Sequence, residues 1–168
     1  METSIPALFI AAILLMSTVV LARSGYNSFD TLSQSWKGME ARAGEQIRTR
    51  LNVTDTQVDE TGANVTVILS NDGQSTIGDF ERMDVVVQYT SESSTYYMRW
   101  IPYTPGDLES NTWTVQSISN DVFEPGLFNP GEELTMVIRL NPVVGLSTTN
   151  WVIISTELGV SLSAYFTR

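Results

Sequence analysis

The chain starts with a long apolar run, and its hydrophobic pattern then changes twice. Residues 5–22 carry no charge, and a helix of that length spans roughly 27 Å, close to the hydrocarbon thickness of a bilayer. From Tyr26 to Leu51 apolar side chains recur every three or four residues, which is the period of an amphipathic helix. We therefore predict one helix from near residue 5 to about residue 50, apolar all round in its first half and amphipathic in its second.

The flanks of the apolar run are unlike those of a signal peptide. Such a peptide needs a basic segment ahead of the apolar run, whereas the charged residue there is Glu2, and residues 21–24 make a poor cleavage site. We expect the helix to be retained, either as a membrane anchor with a helical stalk or packed among copies of itself. Because glycine disfavours helix, we also expect a bend or local melting near Ser24 and Gly25.

Beyond Leu51 the period becomes 2, which is typical of strands with one buried face. The turn at 59–62 and the polar residues 91–94 each predict a hairpin. The predicted strands cover residues 51–54, 64–69, 83–90, 95–101, 112–118, 134–140, 151–155 and 160–166. Their spacing predicts an α+β fold in which the long N-terminal helix (1–50) precedes an antiparallel immunoglobulin-like β-sandwich (51–168) without the Cys-Trp-Cys core.

The composition argues against catalysis. The chain has no cysteine and no histidine, and Lys37 is its one lysine. The chain therefore lacks the residues for thiol chemistry, for histidine acid-base pairs and for the usual zinc sites. Lys37 is the one residue that could form a Schiff base. We expect a protein that is not an enzyme and that holds neither cofactor nor metal.

Charge is concentrated after the helix. Residues 51–168 hold four of the nine basic side chains and fifteen of the nineteen acidic ones, a net charge of −11. Such a domain repels nucleic acid and anionic lipid, so we expect it to face water. The acidic positions Asp55, Asp59, Glu60, Asp72 and Asp79 do not have the spacing of a known calcium loop, and solvated carboxylates are the preferred interpretation.

Five aromatic residues lie in the predicted strands and allow two interpretations. They form either a carbohydrate-binding strip or, as their alternation favours, sandwich core or a subunit interface. The five are Tyr96, Tyr97, Trp100, Trp113 and Trp151.

The layout resembles the archaellins, the archaeal-type flagellins of the type IV pilin-like superfamily. The resemblance is carried by the helix at 5–21, the Ser24-Gly25-Tyr26 junction and the passage from 41–45 into 51–53. It covers the whole chain in layout, with few sharp motifs. Bacterial type IV pilins carry glutamate at the fifth mature position, and Ile5 stands there in this chain, which favours the archaellin side.

A second resemblance points to the anchored stator subunits of the same motor. Residues 69–77 and 84–87 are similar to the sandwiches of that subfamily. Archaellins lose a short basic leader, so the resemblance implies either a mature filament subunit or a chain that stays anchored by its helix.

The archaellin resemblance implies a structural subunit of an extracellular motility filament. Its partners would be identical subunits, the cytoplasmic membrane before assembly and the archaellum assembly machinery, with no nucleic acid. The alternatives are an envelope-binding stator or accessory protein and an adhesive type IV pilin. We expect the filament core to be formed by Phe9, Ile13, Leu14, Met16, Val20 and Leu21.

Two further sets of residues complete the predicted site. Phe29, Leu32, Trp36 and Met39 are expected to pack on neighbouring subunits or under the sandwich. Asn52 and Asn64 open two N-x-Thr sequons, and archaellin filaments commonly carry glycans, so both are candidates for N-glycosylation or, alternatively, ordinary strand residues.

Overall fold

A single long helix opens the structure. The computed structural model describes residues 4–168, with side chains from Leu8 onward, and Glu2 lies outside this range. Helix α1 spans Ser4–Arg48, which confirms the predicted element. The expected local melting is absent, since Ser24 and Gly25 are both α-helical. A lone glycine costs a helix only about 1 kcal/mol, which the turns on either side of Gly25 outweigh.

The chain divides into two compact units, Met1–Ala43 and Gly44–Arg168. The last turn of α1 thus belongs to the second unit, where the loop after the second strand caps it. The backbone N–H of Gln74 donates to the carbonyl of Arg48 at 2.8 Å, satisfying one of the free carbonyls at a helix end. A Cβ on Gly73 would lie 2.5 Å from the backbone nitrogen of Arg50, so this close approach requires glycine.

Eight strands follow, as the alternation predicts. A short 3₁₀ turn, Phe80–Arg82, lies between the second and third of them. The strands are β1 Leu51–Val58, β2 Asn64–Asn71, β3 Asp84–Thr90, β4 Tyr96–Ile101, β5 Thr112–Ser119, β6 Glu133–Arg139, β7 Thr149–Ser155 and β8 Ser161–Thr167.

The strands form two antiparallel four-stranded sheets. Their orders are β1-β2-β6-β5 and β4-β3-β7-β8. With the strands lettered in chain order, these are the A-B-E-D and C′-C-F-G sheets of an immunoglobulin-like sandwich, which confirms the predicted fold class. Both predicted hairpins are present, since β1 pairs with β2 and β3 pairs with β4.

The core lies between the two sheets. Alternate residues of the interior strands point inward, and Val67, Val87 and Met136 are fully buried. Trp113 of β5 is the largest fully buried side chain, with its ring centroid 4.8 Å from that of Tyr103. The hydroxyl of Tyr89 donates to the carbonyl of Pro142 at 2.9 Å, and burial raises the pKa of this tyrosine, with the Arg99 charge opposing the change.

Buried polar residues fix the loops at one end of the sandwich. The amide of Asn71 is fully buried, and its Nδ2 donates to the carbonyls of Ser75 and Phe128 at 2.9 and 3.0 Å. Glu132 accepts a 2.7 Å hydrogen bond from the backbone N–H of Asn129. Because buried polar groups are costly when unpaired, these bonds hold the loops in one arrangement.

Candidate functional site

The first candidate surface is the uncharged run of α1, residues 8–22, which we call the apolar segment. The six side chains predicted to form a filament core are 60–74% exposed. Leu8, Ile10, Leu15 and Val19 in the same segment are 60–72% exposed, so the segment is apolar on every side. A helix that is apolar all round is one that another apolar phase covers, either lipid or other helices.

The polar side chains of this segment are already paired. The hydroxyl of Ser17 donates to the carbonyl of Ile13, and that of Thr18 to the carbonyl of Leu15, both at 2.8 Å. Their burial in lipid or among helices therefore leaves no free donor. Within residues 4–168, α1 is the one helix whose length and composition suit a membrane span.

The second half of α1 presents an apolar stripe. Phe29, Leu32, Trp36 and Met39 are 74%, 56%, 69% and 59% exposed. Packing on neighbouring subunits or under the sandwich stays a prediction for these four residues. Three hydroxyl side chains in this half of the helix donate to the carbonyls of the residues four positions before them.

The two sequons lie in different environments. Asn52 is exposed on β1, an edge strand, and its amide donates to the carboxylate of Asp72. Asn64 is half-buried: its Nδ2 donates to Asp59 at 2.7 Å, and its Oδ1 accepts from Nε of Arg139 at 3.1 Å. Asn52 pairs with Ser70 near one end of β2, and Asn64, at the other end of β2, pairs with Arg139 of β6, so the sequons lie at opposite ends of this sheet.

The aromatic residues divide between the core and one outer face. Trp113 is fully buried and Tyr97 is half-buried against the core. Tyr96 and Trp100 point outward from β4 and are 59% and 60% exposed, and half-buried Trp151 lies on the same outer face. The sequence did not single out Met98 and Tyr165, which join this face and are 64% and 71% exposed. The alternation of β4 and β8 is the signal that locates them.

The acidic side chains form no metal site among the described residues, and Asp59 serves a turn. Within the described residues, no group of three or more His, Asp or Glu side chains is placed to hold a metal ion. Partial burial raises the pKa of Asp59, but hydrogen bonds from Thr61, Asn64 and Ala63 outweigh it, and the pKa lies below its usual 3.8. Asp59 is thus an ionised acceptor that closes the β1–β2 turn.

By sequence the chain matches no family model and no curated protein. By structure it is similar to the archaellum periplasmic stator protein FlaG of Sulfolobus acidocaldarius, with 20% identity and a TM-score of 0.54, over 70% of this chain and 99% of that one. The complex of FlaF and FlaG from the same organism gives 20% identity and a TM-score of 0.53, over 70% and 89%. The archaeal flagellum of Methanospirillum hungatei gives 13% identity and a TM-score of 0.60, over 98% and 93%.

These structural neighbours are archaellum components, so the resemblance expected from the sequence is confirmed at the level of the fold. They are structural proteins of that machine, from its filament and from its stator. The match to the filament covers 98% of this chain and therefore takes in the helix as well as the sandwich. Each match to a stator structure covers 70%.

Proposed function

We propose that this chain is a structural subunit of an extracellular archaellum-type filament and that it polymerises through α1. The observation that carries the proposal is the exposure of every described apolar side chain from Leu8 to Leu21 on a helix with no charge in that segment. A catalytic role has no support in the residues present, because the chain lacks histidine and cysteine.

The energetics of the apolar segment favour a polymer once the helix leaves lipid. Burying one large apolar side chain is worth about 1.5–3 kcal/mol, and ten such side chains between Leu8 and Leu21 are exposed. Bundling the helices of neighbouring subunits therefore stabilises the array by tens of kcal/mol per subunit before ordering costs. A polymer assembled in this way would dissociate extremely slowly.

The proposed mechanism has two stages. The subunit first resides in the cytoplasmic membrane with the apolar segment in lipid, and the assembly machinery then transfers it into a helical array. Repeated head-to-tail contacts that do not close generate a filament. The acidic sandwich, with its net charge of −11, faces water on the outside.

The similarity to the Methanospirillum filament supports this proposal, since it extends over helix and sandwich together. Phe9, Ile13, Leu14, Met16, Val20 and Leu21 are our choice for the filament core. Phe29, Leu32, Trp36 and Met39 are our choice for the contacts further along α1.

A second candidate function is an anchored stator or accessory subunit bound to the cell envelope. Its support is the similarity to FlaG, at 20% identity against 13% for the filament structure. In that role α1 remains in the membrane, and the sandwich alone meets the partner.

Immunoelectron microscopy separates the two candidates. Antibody raised against residues 52–168 would be applied to the fraction sheared from producing cells and to the remaining cell bodies. We expect continuous label along thin filaments. Label confined to the cell envelope, with bare filaments, would contradict the filament proposal and establish the anchored role.

A further inference from the structure

The outer face of the second sheet is unusually apolar. The outward side chains of β4, β3, β7 and β8 alternate with the buried ones. Seven of these outward residues are aromatic, aliphatic or methionine. We name them the aromatic face: Val86, Tyr96, Met98, Trp100, Trp151, Ile153 and Tyr165.

Strand register makes the aromatic face continuous across all four strands. Met98, Gln88, Trp151 and Tyr165 are successive cross-strand partners and form one row. A neighbouring row starts with Trp100, Val86 and Ile153 and ends at Ser163. The rings of Trp151 and Tyr165 meet edge to face, with centroids 6.2 Å apart.

The outer face of the other sheet shows what a water-facing surface of this sandwich looks like. Outward positions there include Asn64 and Thr66 on β2, Glu133 and Thr135 on β6, and Thr114 on β5. Antiparallel sheets that face water carry polar residues on that side. The aromatic face departs from this pattern, which marks it as a surface that another molecule covers.

Two of the aromatic side chains on this face already have polar partners within it. Nε1 of Trp100 donates to Oδ1 of Asp84 at 3.0 Å, and the hydroxyl of Tyr96 donates to Oε1 of Gln88 at 2.7 Å. These bonds hold both aromatic side chains in place. They also let the face be buried without leaving those donors unpaired.

The distribution of charge also favours the aromatic face for contact between identical chains. Residues 51–168 carry a net charge of −11, so two copies repel each other over most of their surface. Among the outward residues of β4, β3, β7 and β8, Asp84 is the one charged side chain, and it stands at the end of β3. Two copies can approach at the aromatic face with the least repulsion.

The area is sufficient for a specific contact. Tyr96, Met98, Trp100 and Tyr165 are each 59–71% exposed. Large side chains of this kind bury about 150–250 Å² when fully covered. These four therefore offer on the order of 500 Å² per copy, and a pair buries on the order of 1,000 Å², the lower end of specific interfaces.

We propose that the aromatic face is covered by the same face of a second copy of this chain, related by a two-fold axis. Two twisted sheets pack face to face at about 10 Å with strands within roughly 30° of each other. Such an isologous contact closes at two copies and does not propagate. The proposal does not depend on the filament role, because it describes the subunit in the membrane and applies equally to an anchored chain.

Cysteine cross-linking tests this pairing in the full chain, which has no native cysteine. Val86 is central on the aromatic face, and Val137 is its counterpart on the outer face of the other sheet; both are half-buried valines on interior strands. Val86→Cys and Val137→Cys would be expressed separately, and isolated membranes would be oxidised. We expect a disulfide-linked dimer from Val86→Cys and at least tenfold less from Val137→Cys.

A second substitution checks that the dimer forms through the apolar contact. Met98→Asp in the Val86→Cys chain places a charge in the row beside Val86 on a side chain that is 64% exposed, so the fold tolerates it. We expect cross-linking to fall about tenfold or more, the effect of losing a central interface anchor. Equal cross-linking at Val86 and Val137, no dimer at either position, linkage of Val86→Cys only to a different protein, or no effect of Met98→Asp would each overturn the proposal.

Discussion

Arg139 holds the side chain of Asn64: its Nε donates a 3.1 Å hydrogen bond to Asn64 Oδ1 from the neighbouring strand. Asn64 Nδ2, the atom that a glycan would occupy, donates to Asp59 at 2.7 Å. The amide of Asn52 donates to the carboxylate of Asp72 as well, but Asn52 is exposed on the edge strand β1, whereas Asn64 is half-buried. We therefore predict that a glycan is attached at Asn52 and that Asn64 is bare.

Sequon variants measure this difference directly, because both sequons lie between Arg50 and Arg82 in one tryptic peptide. Thr54→Ala and Thr66→Ala each destroy one sequon and leave both asparagines intact. We expect the glycan mass on that peptide to disappear in Thr54→Ala and to persist in Thr66→Ala. A bare peptide from the native chain, or a glycan lost only in Thr66→Ala, contradicts the prediction.

The stability of the fold should depend on pH through Asp59. Because its pKa in the folded protein lies below 3.8, the ionised carboxylate stabilises the fold above about pH 3.8, and this contribution is lost as the pH falls through the folded pKa. Asp59→Asn should lower the free energy of unfolding by about 1 kcal/mol at neutral pH. The deficit should shrink as the pH decreases below 3.8.

Denaturant unfolding of both proteins across pH 2–7 provides the measurement for Asp59. Glu60→Gln is the matched control, since Glu60 is exposed in the same turn, and it should change stability little at any pH. A constant difference between native and Asp59→Asn proteins down to pH 2 would show that Asp59 does not titrate with the fold.

The sequence predicted the elements well because their signals are local. The helix follows from a 3.6-residue period and the strands from alternation, and these patterns survive any arrangement in space. The turn at Asp59 could also be predicted from the sequence. The hydrogen bonds that its carboxylate accepts from Thr61 and Asn64 could not. The buried position of the Asn71 amide could not be predicted either, because its partners Ser75 and Phe128 come together only after folding.

Strand β4 shows why the sequence could not tell which of its two sides faces outward. Alternation separates Tyr96, Met98 and Trp100 from Tyr97 and Arg99, and hydrophobicity alone would turn the first set inward. The structure does the opposite. Arg99 lies 4.8 Å from the ring centroid of Tyr97 and donates to the carbonyl of Asn141 at 3.1 Å. Inward-pointing charges of this kind protect edge strands, and the larger apolar set is left outside.

A third prediction concerns Arg168, whose guanidinium joins three loops. Nη1 donates to the carbonyl of Val144 at 2.6 Å and to the carboxylate of Glu92 at 2.5 Å, and Nη2 donates to the carbonyl of Glu60 at 2.8 Å. The side chain is 12% exposed. Arg168→Ala should lower the free energy of unfolding by about 1–3 kcal/mol, because partly buried carbonyls lose their donor.

Arg82→Ala is the control for Arg168. Arg82 pairs with Asp79 at 3.1 Å, but its side chain is 76% exposed, and such pairs contribute about 0–1 kcal/mol. Urea unfolding followed by tryptophan fluorescence compares the two variants. Equal losses of stability would mean that Arg168 acts as an ordinary surface residue.

The last prediction tests the apolar segment as a polymerisation surface. Leu14 is 60% exposed, and Leu14→Asp costs about 2.5–3.5 kcal/mol at the centre of a membrane helix. The other apolar residues of the segment can absorb that cost, so the chain should still reach the membrane. In a bundle every subunit repeats the buried charge, and each unpaired charge costs several kcal/mol. We therefore expect the variant to be expressed and membrane-bound, with no filaments by electron microscopy.

Gln34→Asp is the control for Leu14→Asp. It adds the same charge at an exposed polar position further along α1 and should leave filaments intact. Normal filaments from Leu14→Asp would show that the apolar segment is an anchor and that the polymer, if this chain forms one, is held together elsewhere.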